Sequence, residues 1–140
     1  MADISVTQSA VKAADANTQK ATGTSGEAIN IGQSVYADPS TGKIYKAQAT
    51  NSTHTANLVG VSLSRTEGAD QPIVYATEGN ITFQAAALTV GQVYVVSAAA
   101  AGGIAPVSDL ASTNYVGVLG VATSATNLKL LPIATSAQKP

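Results

Sequence analysis

The chain predicts an all-β fold: a small barrel or sandwich built from two similar lobes, with an extended N-terminal arm. Three observations carry that expectation. Short runs of β-branched and aromatic residues recur at 8 to 15 residue spacing, separated by Gly, Pro, Asp and Asn turn signals. Two sets of landmarks occur twice: Gly32-Gln33-Ser34-Val35-Tyr36 returns as Gly91-Gln92-Val93-Tyr94, offset by 58 to 59 residues, and the stretch around Val59-Gly60-Val61 returns as Val116-Gly117-Val118, offset by 57. Each copy also holds a glycine-marked turn between its landmarks, at Gly42 and at Gly103. Finally, little room is left for helix after residue 27.

Taken in order, residues 1–27 read as the arm. Ile4, Val6 and Val11 are isolated apolar residues in a polar, alanine-rich stretch that Thr22-Gly23-Thr24-Ser25-Gly26 then breaks. A helix over residues 9–20 would have only Val11 and alanines for its apolar face, so an extended segment, lending a strand over residues 4–7 to a neighbour, is preferred. The β domain spans 28–133, its halves being about 28–84 and 85–133, and 134–140 is a polar tail expected to fray.

In the first half, residues 35–37 and 43–47 flank Asp38-Pro39-Ser40-Thr41-Gly42. Proline presets φ at the second turn position, and glycine accepts φ > 0 at the return. Residues 58–63 form a strand whose Gly60 marks a bulge or a close backbone approach. Strands over 73–76 and 81–84 flank a turn at Glu78-Gly79-Asn80. In the second half, residues 93–96, 104–105, 115–121 and 128–133 are strands. Pro106 puts the second of these on an edge, because proline donates no ladder hydrogen bond.

Composition narrows the function. With 140 residues the chain makes one domain with a core of its own, and with no cysteine it forms neither disulfide nor thiolate metal site. Only 11% of residues are charged and the net charge is −1, too little basic charge to grip a phosphate backbone. Nucleic acid is therefore not an expected partner. The longest apolar run, residues 98–104, is broken by glycine and too short to cross a bilayer, and no export signal stands at the N-terminus, so a soluble chain without a membrane partner is expected.

Catalysis requires tunable groups gathered in a pocket, and few are on offer. His54 sits in Asn51-Ser52-Thr53-His54-Thr55 far in sequence from Asp38 and Glu67, and reads as a solvated loop histidine. Serines are plentiful and Lys12, Lys20, Lys43, Lys46, Lys129 and Lys139 are present, but no strand-turn-helix serine elbow occurs. The 38–42 loop has one carboxylate, where calcium wants several oxygens. Asn51-Ser52-Thr53 and Asn80-Ile81-Thr82 match the glycosylation pattern by coincidence of a threonine-rich chain. Tyr36, Tyr45, Tyr75, Tyr94 and Tyr115 fall in strands, where aromatics pack across the sheet. No catalytic residue, metal site, cofactor or small-molecule substrate is expected.

Gly26-Glu27-Ala28-Ile29, Gly32-Gln33, Val35-Tyr36, the hairpin around Thr41-Gly42-Lys43-Ile44-Tyr45-Lys46-Ala47 and Val59-Gly60-Val61 resemble the capsid decoration, or cement, proteins of tailed bacteriophages. Leu88-Thr89-Val90-Gly91-Gln92, Tyr94-Val95-Val96 and Ala101-Gly102-Gly103-Ile104-Ala105-Pro106 look similar to them too, so the likeness covers about residues 26–133. It implies a small β-rich, non-enzymatic structural protein of the virion, made in the host cytoplasm. Such a protein binds the major capsid protein on the outer shell at local three-fold positions as a homotrimer. The contact residues expected toward the capsid or a neighbouring subunit are Ile4, Val6 and Val11. The rival expectations are a receptor- or glycan-binding module of a phage tail fibre and, more remotely, a serine hydrolase.

Overall fold

The computed structural model describes residues 3–85 and 87–140. Among the described residues ten strands join in one curled antiparallel sheet, a half-barrel, so the chain is all-β as its turn spacing predicts. Among the described residues no helix is long and apolar enough to cross a membrane. In chain order the strands are β1 (Lys12–Ala13), β2 (Gln19–Thr24), β3 (Ser34–Ala37), β4 (Ile44–Lys46), β5 (Leu58–Ser62), β6 (Pro72–Thr82), β7 (Val93–Val96), β8 (Ile104–Pro106), β9 (Val118–Ala122) and β10 (Asn127–Ile133). One helical turn, α1 (Ser52–Ala56), stands between β4 and β5.

The order across the sheet is β4-β3-β5-β6-β10-β9-β7-β8. Strands β3 to β6 and β7 to β10 are thus laid down in the same sequence of neighbours, and their registers match as well. Val35 faces Gly60 as Tyr94 faces Gly120, Val61 faces Ala76 as Val121 faces Lys129, and each half slips register at the same step. The pairing corrects two sequence assignments. Gly60 corresponds to Gly120 rather than Gly117, and the turn glycine with φ > 0 that corresponds to Gly42 is Gly102 rather than Gly103. Gly60 and Gly120 occupy close-approach positions: a Cβ would overlap the carbonyl oxygen of Ala76 at one and of Lys129 at the other. Only a residue without a side chain lets the next strand come this near.

Strand β6 holds the halves together. Tyr75 pairs with Ala21 and Ser62, and Ile81 pairs with Ala13 and Leu128, so β6 has β1 or β2 as one partner and β5 or β10 as the other. The expected turn at Glu78-Gly79-Asn80 is absent; β6 runs through it. The β2 register shifts there, Gln19 facing Glu78 and Lys20 facing Ala76, which leaves Thr77 as an extra residue. A bulge of this kind reverses which alternate side chains face one side. Ala76 before it, and Ile81 and Phe83 after it, all enter the main core with Leu119, Leu128 and Leu130. Ile73 points oppositely, into a smaller cluster with Ile29, Val35 and Ile44.

Residues 3–27 are not a free arm, and the helix considered over residues 9–20 does not form. Strands β1 and β2 pair with β6, Val11 is only 7% exposed, and Ile4 and Val6 pack against the core. The physical reason is β6, whose length offers an unpaired side that this segment fills. The same segment covers both ends of the sheet. Gly26 N–H donates to Ile44 O (2.8 Å) at the β4 edge, and Ile4 N–H donates to Ile104 O (2.9 Å) at the β8 edge. Covered edges cannot recruit stray strands.

The tail does not fray either. Val116 N–H donates to Ala137 O (2.9 Å), Lys139 N–H to Asn114 O (2.8 Å), and the Lys139 ammonium to Leu110 O (2.8 Å).

Two outcomes test this architecture. Gly60→Ala and Gly120→Ala should each cost about 2–3 kcal/mol in urea unfolding, as expected for steric overpacking. Gly42→Ala, in an open turn at φ +74°, should cost only about 1–2 kcal/mol, the penalty of a left-handed conformation alone. Equal, small losses at all three sites would contradict the close approach. Deleting residues 1–25 should abolish the cooperative thermal transition; a truncated chain that melts like the full one would restore the free-arm reading.

Candidate functional site

Part of the hydroxyl-rich composition works inside the molecule. Ser34 Oγ donates to Gly103 O (3.0 Å), Ser25 Oγ to Gly68 O (2.7 Å), and Thr66 Oγ1 to Glu27 O (3.0 Å). Ser62 Oγ donates to Asn30 O and accepts from Gln33 N–H (3.0 Å). All four residues are buried, and among the described residues no buried side-chain polar atom lacks a partner. These serines and threonines tie loops to strands by satisfying loop main chain, which a buried backbone demands.

His54 differs from its expected place. It lies on α1 and is half-buried, with its ring stacked on Tyr36 at 4.1 Å between centroids, while Tyr36 in turn stacks on Tyr45 at 5.9 Å. Its Nδ1 accepts Gln48 N–H (3.1 Å), so the ring is neutral with its proton on Nε2. Burial holds its pKa below the ordinary histidine value, against the opposing pull of the Glu27 and Asp38 carboxylates. Asn51 caps the helix, its Oδ1 accepting Thr53 N–H at 2.9 Å. A capping Asn followed by Ser-Thr was the readable sign of this turn.

Asp38 closes its hairpin as predicted. Its Oδ1 accepts from Ser40 N–H (2.9 Å) and Ser40 Oγ (2.8 Å), and these bonds lower the pKa of the exposed carboxyl. Among the described residues no three His, Cys, Asp or Glu side chains cluster as metal ligands would. The lysines are placed apart: Lys43 pairs with Asp70 at 2.7 Å and Lys46 with Glu27 at 3.9 Å. Tyr36 and Tyr94 are buried, and Tyr45, Tyr75 and Tyr115 are half-buried, so the five do not form an exposed platform.

The clefts differ in character. One of about 240 Å³ lies where residues 3–8 cross between the 30–33 loop and the 100–103 turn. Its polar groups are engaged: the Asp3 carboxylate accepts from Ser97 Oγ at 2.6 and 2.7 Å, and Gln8 Oε1 accepts Ile31 N–H at 3.1 Å. Another, of about 230 Å³, is a shallow apolar groove on the outer face of β9 and β10, lined by Val118, Gly120, Val121, Lys129, Leu131 and Ile133. Val121, Leu131 and Ile133 are 39, 51 and 54% exposed there.

Register makes this face distinctive. Val118 and Val121 occupy the ladder positions that Leu58 and Val61 hold in the first half, and Leu58 and Val61 are buried. The opposite face of the first half, which corresponds to the buried Tyr94 side of the second, is covered by Ile29 over Val35, Ile44 and Ile73. The β9–β10 face has no such cover. Of the residues expected to make contact, Val11 is committed to the core, while Ile4 and Val6 rest partly buried against it. Among the described residues the exposed large apolar side chains are Val90 and, grouped on one face in the segment 118–133, Val121, Leu131 and Ile133. The sequence of that segment did carry a signal: Leu128, Leu130 and also Leu131 and Ile133 are apolar, a two-sided pattern that implies cover on both faces.

No protein-family model matches the chain, and neither does any curated protein.

Ser62→Ala should cost about 1–3 kcal/mol, because it leaves the Asn30 carbonyl and the Gln33 amide without their shared partner. Denaturant unfolding measures it, and a loss within error of zero would show that water replaces the hydroxyl.

Proposed function

We propose that the chain is a decoration protein of a tailed-phage capsid, a subunit of a homotrimer that seats on the major capsid protein at local three-fold positions and reinforces the shell. The observation that supports it best is the open apolar face of β9 and β10 on a scaffold whose edges are covered. Permanent contacts between copies are richer in apolar area than transient ones, and Val118, Val121, Leu131 and Ile133 supply that kind of surface. The reading therefore assigns the contact between copies to this face rather than to Ile4, Val6 and Val11. The motifs that resemble decoration proteins are in the strands and turns that build the scaffold.

The matched pairing of the two halves supports descent from a duplicated four-stranded unit. In such a duplication, the face that Leu58 and Val61 turn into the main core of the first copy became, at Val118 and Val121 of the second, available for assembly. Reinforcement needs no reaction: a ligand that binds only the assembled shell stabilises it by mass action, and three linked subunits multiply weak contacts by roughly 10²–10⁴ where geometry lets all engage. The protein would be made in the host cytoplasm and reside on the outer virion surface. A tail-fibre glycan module finds no comparable support, since none of the five tyrosines that would serve it is fully exposed and two are buried.

Leu131→Asp and Ile133→Asp should convert a trimer to a folded monomer in sedimentation at micromolar concentration. They should also lower occupancy at least about tenfold on capsids that lack this protein, the loss expected when an apolar contact must bury a charge. A wild-type chain that stays monomeric and does not bind such capsids would overturn the reading.

A further inference from the structure

We propose that His54 is a proton-operated latch on the strap of residues 47–57 that joins the two halves of the sheet. The strap is bonded to both. Ala47 N–H donates to Ser34 O (3.0 Å) in the first half, and Ala49 N–H donates to Ser97 O (2.9 Å) in the second. Second-half amides return the contact, Gly102 N–H to Ala47 O (2.7 Å) and Tyr115 N–H to Ala49 O (2.8 Å). Between Ala47 and Ala49, the Gln48 side chain reaches Ala98 O (2.9 Å), and its main-chain N–H is held by His54 Nδ1. Farther along, Thr55 O accepts Thr135 N–H (3.1 Å) from the C-terminal tail.

Of these bonds, the one from Gln48 N–H to His54 depends on a proton near neutral pH. Imidazolium carries N–H on both nitrogens, so a second proton turns the Nδ1 acceptor into a donor facing another donor. The ring must then leave its place or the Gln48 amide must go unpaired, and either change strains the middle of the strap. The groups around the ring are Tyr36 from β3, Tyr45 beyond it from β4, and the carboxylates of Glu27 and Asp38. The two carboxylates favour the proton, but burial outweighs them and the fold prefers neutral imidazole. Neutral preference in the folded state fixes the sign. The latch contributes fully above the unfolded value of about 6.5, and the contribution is lost as pH falls through the lower folded value.

Native-state amide exchange of the full chain, corrected for the intrinsic pH dependence, tests this at Gln48 and Ala49. Between pH 7.5 and 5.0 the wild type should lose protection at Gln48 by about threefold to tenfold, the range of one hydrogen bond, while the β6 and β10 amides stay unchanged. His54→Asn, whose side-chain oxygen accepts without titrating, should keep Gln48 protected and flat with pH. His54→Phe keeps an aromatic ring but no acceptor, and should leave Gln48 poorly protected at both pH values. Unchanged wild-type protection across the pH range in which the His54 ring resonances show it taking up its second proton, or the same pH dependence in His54→Asn as in wild type, would overturn the latch.

Discussion

The two-sided pairing of β6 is the constraint on which the remaining structure rests. A strand of eleven residues has more hydrogen-bonding capacity than any single neighbour here can use. Strands β1 and β2 take part of it, while β5 and β10 divide the rest. The extra residue Thr77 lets one continuous strand serve the core from both of its parts, because the side chains facing inward change parity across it. Without that irregularity, Ala76 and Ile81 would point to opposite faces, and the halves would not share a core.

Close backbone approach is the second element of the design. A core composed mainly of Val, Ile, Leu and Ala, with Phe83 and Tyr94 as its largest fully buried side chains, has few bulky groups with which to fill wide spaces. Gly60 and Gly120 draw neighbouring strands inward, and small side chains then suffice to pack the interior. Buried hydroxyls perform the complementary task at the loops. Ser25, Ser34, Ser62 and Thr66 each neutralise main-chain polarity that would otherwise be costly to enclose.

Much of the sheet was legible in the sequence because period-two alternation and turn residues are local signals. The hairpin at Asp38 to Gly42, the strand around Val35 and the edge position of Pro106 followed from them. What was missed depends on distant partners. Gln19 to Thr24 is polar, with no apolar alternation, and becomes a strand because β6 lies beside it. Glu78-Gly79-Asn80 has turn composition, yet pairing with β2 and β10 on either side holds it extended. His54 looked solvated because its stacking partner Tyr36 lies 18 residues away in sequence. The landmark glycine was matched to Gly117 by similarity of flanking residues, whereas hydrogen-bond register selects Gly120. The candidate contact face suffered from the same limit, since isolated apolar residues in a polar segment can be claimed by an interior that the sequence does not display.

The long reach of the N-terminal strands has a kinetic consequence. Lys12 faces Thr82 and Thr24 faces Pro72, while the 3–4 segment ends on Ile104 and the last residues return to 107–116. The ladder partners of β1 and β2 lie in β6, so they leave the ribosome only after the intervening strands β3 to β5. Topologies dominated by such distant pairings reach their native state slowly, on the scale of roughly milliseconds to seconds. During translation β1 and β2 wait unpaired until β6 is made, and their polar, alanine-rich sequence offers little apolar surface in the meantime.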